Sequence, residues 1–143
     1  MSAPRFYADF NGIEYLNDDK SKSVLELAGY GALATLSEQK IRLTEGMQVV
    51  IYEPDDIEAD AVVRFDRARI DPAGRRGAWV AEFDARKIRQ CAAGMKVPGS
   101  HPCFGCGEDL TAHFATVGRR YVEHCPACGT DVMSPMLPPS DAA

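Results

Sequence analysis

The sequence predicts an all-β chain, mainly antiparallel: a small barrel or rolled sheet followed by a short module held together by cysteines. Three observations carry this expectation. Ile57, Ala59, Ala61, Val63 and Phe65 recur at strict period two, with Glu58, Asp60, Arg64 and Asp66 on the opposite face, the pattern of a half-buried antiparallel strand. Short apolar runs are separated by strong turn formers at Asn11-Gly12, Pro54-Asp55-Asp56 and Asp71–Gly77. Two C-x2-C-G sequences, Cys103–Gly107 and Cys125–Gly129, have eighteen residues between their inner cysteines.

Taken in chain order, Arg5–Phe10 and Ile13–Leu16 flank Asn11-Gly12, the dipeptide most favoured in two-residue hairpin turns. The expected hairpin sets Phe10 opposite Ile13 and Ala8 opposite Tyr15. Phe6, Ala8, Phe10, Ile13 and Tyr15 then share one face, and Asp9 and Glu14 take the other. Asn17–Lys22 reads as a polar loop and Ser23–Ala28 as a third strand. Gly29 and Gly31 interrupt regularity, so Thr35–Lys40 is expected to form a single helical turn. Gly46–Glu53 is a strand turned by Pro54-Asp55-Asp56 into the alternating strand Ile57–Arg69. The carboxylates Glu53, Asp55, Asp56, Glu58 and Asp60 lack the ligand order of a calcium loop and are expected to be solvated. After a long turn at Asp71–Gly77, Ala78–Asp84 returns with Trp79, Ala81 and Phe83 inward, and Ala85–Gln90 closes the set as a turn and short strand. Residues 42–90 are similar in layout to SH3-like barrels: a Gly-Met-x-Val opening strand, a long second strand, then a third bearing Trp79. That resemblance implies a small closed barrel. Such barrels occur in peptide-binding, ribosomal and chromatin proteins alike, so it implies no single function. Cys91–Ser100 has a linker's composition, which divides the chain into a β domain (1–92), a cysteine module (93–137) and a flexible tail (138–143).

The cysteine spacing carries the chemistry. Two residues between cysteines let one tight turn aim both sulfurs the same way, and the glycine that follows supplies the backbone freedom such a turn requires. Cys103, Cys106, Cys125 and Cys128 thus form the donor set of a tetrathiolate metal site, for which Zn2+ is the leading metal. Leu110–Thr116 and Tyr121–His124, joined by a turn at Val117–Arg120, are expected to pair as a hairpin that brings the second knuckle back to the first. Residues 101–133 resemble the zinc-ribbon family, matching its four cysteines, and members of that family bind nucleic acid, dock on proteins or simply fold a small module. Rubredoxin-like iron uses similar knuckles and stays open as an alternative, as does a thiol redox role. Disulfides are disfavoured because no apolar signal segment follows Met1–Arg5, which also points to a cytoplasmic chain. His101 and His124 adjoin the knuckles but the thiol set is already complete, so they are expected to be exposed or to lie behind the ligands. His113 falls mid-strand, and Cys91 is expected to be a buried or spare thiol.

Charge narrows the function classes. The net charge is −5, with 14 Lys/Arg against 16 Asp/Glu in residues 1–96 and 2 against 5 in residues 97–143. An acidic cysteine module is ill suited to phosphate, since nucleic-acid binding needs cations to displace counterions. Between Arg64 and Arg89 eight Lys/Arg face four Asp/Glu, and Arg64, Arg67, Arg69, Arg75 and Arg76 are candidate contacts to nucleic acid or to an acidic partner. Phosphate-loop, dinucleotide, H-E-x-x-H and G-x-S-x-G motifs are absent, and no apolar run is long enough for a membrane span. The leading expectation is a non-catalytic, cytosolic zinc-binding adaptor recognising a protein partner. The alternative is a nucleic-acid- or ribosome-associated module using the arginine-rich face.

Overall fold

The computed structural model describes residues 3–27, 30–70, 76–96, 100–111, 124–132 and 134–139. Its body is a seven-stranded sheet, mixed but mostly antiparallel, with one helix. The strands are β1 (Arg5–Tyr7), β2 (Glu14–Tyr15), β3 (Ser23–Glu26), β4 (Gln48–Tyr52), β5 (Ile57–Ile70), β6 (Arg76–Phe83) and β7 (Arg89–Gln90), and the helix α1 is Tyr30–Gln39. The order across the sheet is β1-β4-β5-β6-β3-β2, with β7 also pairing β5, so the sheet is open and not closed into a barrel. The all-β expectation holds in this coarser form; the closed SH3-like barrel does not.

The alternating strand is the spine. β5 pairs β4 from Gln48↔Val62 to Tyr52↔Glu58 and pairs β6 from Val62↔Glu82 through Asp66↔Ala78. Ala59, Ala61 and Val63 are buried as their period requires, and so are Trp79, Ala81 and Phe83 on β6. A single 3-10 turn at Ala85–Lys87, capped by Asp84, separates β6 from β7, which returns to pair Ile57↔Gln90 and Glu58↔Arg89 on β5.

The expected N-terminal hairpin is overturned. β1 runs parallel to β4, and β2 pairs β3 at the opposite end of the sheet. A two-residue I′ turn requires positive φ at both central residues, and neither Asn11 nor Gly12 has one. Instead the Asp9 carboxylate accepts from the Asn11 N–H and caps a 3-10 turn over Phe10–Gly12, while Glu53 accepts from the Phe10 N–H. Phe6, Ala8 and Phe10 are still buried, but Tyr15 is exposed.

The helix is ten residues long and exceeds the single turn expected over Thr35–Lys40, and Gly31 lies inside it against the Tyr7 ring. Ala32, Leu33, Ala34, Thr35, Leu36 and Ser37 are all buried, so its stability comes from packing on nearly every side. Thr35 Oγ1 accepts from the Tyr7 N–H at 3.2 Å and Gln39 Nε2 donates to the Arg5 carbonyl at 2.6 Å, so the helix satisfies outward groups of the β1 edge. It ends in a Schellman motif: the Ile41 N–H reaches the Leu36 carbonyl at 2.9 Å, the Lys40 N–H reaches that of Ser37, and Lys40 takes φ +58°. Glycine is the usual residue there, and a lysine in that conformation costs on the order of 1 kcal/mol.

Glu58 corrects a further expectation. It lies on the predicted face of β5 yet is only 2% exposed. Arg5 Nη1 donates to it at 2.8 Å, Arg89 at 2.6 Å and the Ala92 N–H at 2.8 Å, joining β1, β5, β7 and the chain beyond. Its carboxyl is held down to about 2: burial alone would raise it, but the Ala92 N–H and the Arg5 and Arg89 guanidiniums outweigh that. Cys91 beside it is buried, and burial pushes its thiol up.

Candidate metal centre

Each cysteine pair sits in the same small loop. In the first, the Cys103 N–H donates to the Glu108 carbonyl at 2.7 Å, the Gly107 N–H returns to the Cys103 carbonyl at 3.0 Å, and Pro102 bridges Asp109. In the second, the Cys125 N–H donates to the Thr130 carbonyl at 2.9 Å, the Gly129 N–H to the Cys125 carbonyl at 2.8 Å, and His124 bridges Asp131. Gly107 and Gly129 have φ of +81° and +77°, with open space where a Cβ would stand. The backbone conformation, not crowding, therefore selects glycine at both positions.

The two loops bring the four sulfurs within 4.8 Å of one another. The cross-knuckle separations are 3.7 Å for Cys103–Cys128 and 3.8 Å for Cys106–Cys125. Four thiolates about 2.3 Å from a central ion define a tetrahedron with edges of about 3.8 Å, so the donor set fits a tetrahedral metal. A disulfide would need about 2.05 Å, and all four cysteines are free. Cys103 and Cys125 are buried, while Cys106 and Cys128 are exposed.

The surroundings tune the sulfurs unequally. The Gly105 N–H donates to Cys103 Sγ at 3.3 Å. The Thr130 hydroxyl lies 3.1 Å from Cys128 Sγ, and with the Thr130 N–H it pulls the Cys128 thiol down to about 6. Cys106 is pushed up to about 12: the Glu108 N–H opposes this, but partial desolvation and the neighbouring sulfurs of Cys128, Cys125 and Cys103 prevail.

The knuckles do not stand apart from the sheet. Cys103, Cys125, Leu110, Val132 and Met136 belong to the same buried cluster as Phe6, Leu33, Ile51, Val63 and Trp79. Trp79 Nε1 donates to the Met136 and Leu137 carbonyls at 3.0 and 3.1 Å, and the Leu43 N–H to that of Pro135 at 2.8 Å. His101 is fully buried, not exposed, and burial lowers its pKa; its N–H donates to Thr111 Oγ1 and its carbonyl accepts from Leu110. His124 is exposed.

Residues that sequence reasoning passed over complete the site. The repeat extends beyond C-x2-C-G to an aspartate and an apolar residue, Asp109-Leu110 and Asp131-Val132. The aspartates make the closing bridges, and Leu110 and Val132 are 0% and 1% exposed. A constant offset between the two halves is the signal that finds them. Lys40 and Arg42, from the chain leaving α1, carry no such signal. Both place their cations against the Phe104 ring, at 6.0 and 5.6 Å from its centre.

Of the arginine candidates, Arg64 pairs with Glu82 at 3.3 Å and Glu45 at 3.8 Å, and Arg69 with Glu14, Asp66 and Glu26 at 2.6, 3.0 and 3.7 Å. Arg67 lies over the Phe65 ring and Arg76 is exposed at the start of β6. Arg75, His113, the expected hairpin strands and turn between 112 and 123, and residues 140–143 fall outside the described residues. Among the described residues no helix is long and apolar enough to cross a membrane. Comparison with protein-family models, with curated proteins and with solved structures finds no match to this chain in any of the three.

Proposed function

We infer that the chain is a non-catalytic zinc-binding adaptor, in which the four cysteines form a zinc-ribbon-like site and hold one structural Zn2+ while the surface of the assembled fold recognises a protein partner. The observation that carries this reading is the closed donor set: four sulfurs at tetrahedral spacing, contributed by two knuckles of the same geometry. Four protein ligands leave a zinc ion no open position for water or substrate, so its contribution is folding free energy, on the order of 10 kcal/mol for comparable sites.

A protein partner is favoured over nucleic acid because Arg64 and Arg69 already face carboxylates of the same sheet. An arginine committed to an intramolecular carboxylate gains less from phosphate and releases fewer counterions. Metal analysis of the purified chain is the first test. One zinc per chain in a colourless protein supports the reading, and a red, iron-loaded protein replaces it with the rubredoxin-like alternative. Salt-sensitive retention on RNA or DNA, lost in R75A/R76A, would replace the protein-partner reading with the nucleic-acid one.

A further inference from the structure

Between α1 and β4 the chain runs along the seam between sheet and knuckles. At the first residue of this segment, Lys40, three observations converge. Its backbone is left-handed, φ +58°, at the helix stop where glycine is ordinarily preferred. Its ammonium donates to the Phe104 carbonyl at 2.6 Å and reaches the Cys103 carbonyl at 3.5 Å, both inside the first knuckle. It shares the Phe104 ring with Arg42. A helix stop alone accounts for the φ and would be better served by glycine. It does not account for an ammonium delivered to two carbonyls of a metal loop sixty-odd residues away.

We propose that Lys40 is a positioning residue for the four-cysteine site: its ammonium holds the first knuckle in its metal-binding geometry once the ion is seated and offsets the negative charge of a tetrathiolate–divalent ion centre, tying metal occupancy to helix α1. The proposal rests on the metal reading above. A divalent ion with four thiolates carries a net charge of −2, and Lys40 and Arg42 are the cations placed against this loop among the described residues. The outer contacts of a metal site orient its ligands, and their loss typically weakens binding 10- to 100-fold. The strain at Lys40 is then retained because glycine would relieve it only by discarding the contact.

The test uses the full chain and zinc alone, with affinity read by competition against a chromophoric chelator and thermal melting followed on the metal-free protein. K40G removes both the strain and the ammonium; zinc affinity is expected to fall about tenfold while the metal-free chain melts at the same temperature or higher. K40M keeps a side chain and loses only the charge, and is expected to show the same loss of affinity. K40R is expected to stay within a few-fold of the parent. Parent-like zinc affinity in K40G and K40M overturns the proposal, as does a K40R loss equal to that of K40M. A lower melting temperature for metal-free K40G overturns it too, because Lys40 would then support the sheet irrespective of metal. A parent chain that takes up no zinc overturns the metal reading itself, a result distinct from any ranking of the variants.

Discussion

Replacing Glu58 by Gln tests whether the buried carboxylate stabilises the fold through its charge. Glu58 is 2% exposed, and it accepts from two guanidiniums and the Ala92 N–H. Its pKa falls from an ordinary 4.5 to about 2. A depressed folded-state pKa means that the stabilisation is complete above the unfolded pKa and is lost as pH falls through the folded one. The window therefore opens near pH 5 and closes near pH 2. At about 1.4 kcal/mol per pKa unit the shift corresponds to about 3 kcal/mol. Side chains of the two partners remain 35% and 43% exposed, for Arg5 and Arg89. Solvent screening on their side lowers the expected value to about 1–3 kcal/mol. The assay is urea unfolding of parent and E58Q from pH 7 to pH 2.5. Acid also strips metal from thiolates, but that loss is common to both proteins and cancels in their difference. E58Q should be less stable by about 1–3 kcal/mol at pH 7, with the gap shrinking steadily below pH 5. A gap that is absent at pH 7, or unchanged down to pH 2.5, refutes the charge-based account.

Three further outcomes follow from contacts described above. Chelation of the metal, or C106S, should unfold the cysteine module and also change the fluorescence of Trp79, whose indole N–H holds the Met136 and Leu137 carbonyls; unaltered Trp79 emission in the metal-free chain would disconnect the two regions. G77A should cost about 2–4 kcal/mol in denaturant unfolding, because Gly77 has φ +92° and a Cβ there would overlap the Phe65 ring that packs edge-on to Trp79. T130V removes the hydroxyl beside Cys128 Sγ while preserving shape, and should weaken zinc binding about tenfold in a chelator competition.

The parts of this fold that could be read from sequence are those where a local rule and the tertiary outcome coincide. β5 alternates from Ala59 to Arg64 because one face packs on the core, and the two knuckles repeat one local geometry that sets four sulfurs at tetrahedral spacing. The failures share a cause, local patterns overridden by interactions those patterns do not show. Asn11-Gly12 has hairpin chemistry, but Asp9 beside it and Glu53, just past the neighbouring strand β4, capture the N–H groups of Asn11 and Phe10. α1 lacks an apolar stripe because Ala32 to Ser37 are buried all round, so no helical period stands out. Glu58 looks like any outward carboxylate in an alternating strand. Only its meeting with Arg5, fifty-three residues away, and Arg89, thirty-one away, makes its burial tolerable.

The arrangement of the knuckles bears on what a metal held there would do for the whole molecule. Each contributes one buried and one exposed cysteine, and each close sulfur pair joins a buried member of one knuckle to an exposed member of the other. An ion at that spacing therefore ties both loops at once, and neither loop can keep its half of the site alone. Two residues after each closing glycine stand Asp109 and Asp131, followed by Leu110 and Val132, which enter the same buried cluster as Trp79 and Leu33. Losing such an ion would remove the constraint that seats those two apolar side chains in the buried cluster. Fully burying a residue of that size stabilises by about 1.5–3 kcal/mol. Exposing the pair would thus cost the sheet about 3–6 kcal/mol, a large share of the 5–15 kcal/mol that stabilises an ordinary domain. On the metal reading, a closed tetrathiolate in this setting would act on the entire fold, because the side chains it seats belong to the buried cluster of the sheet.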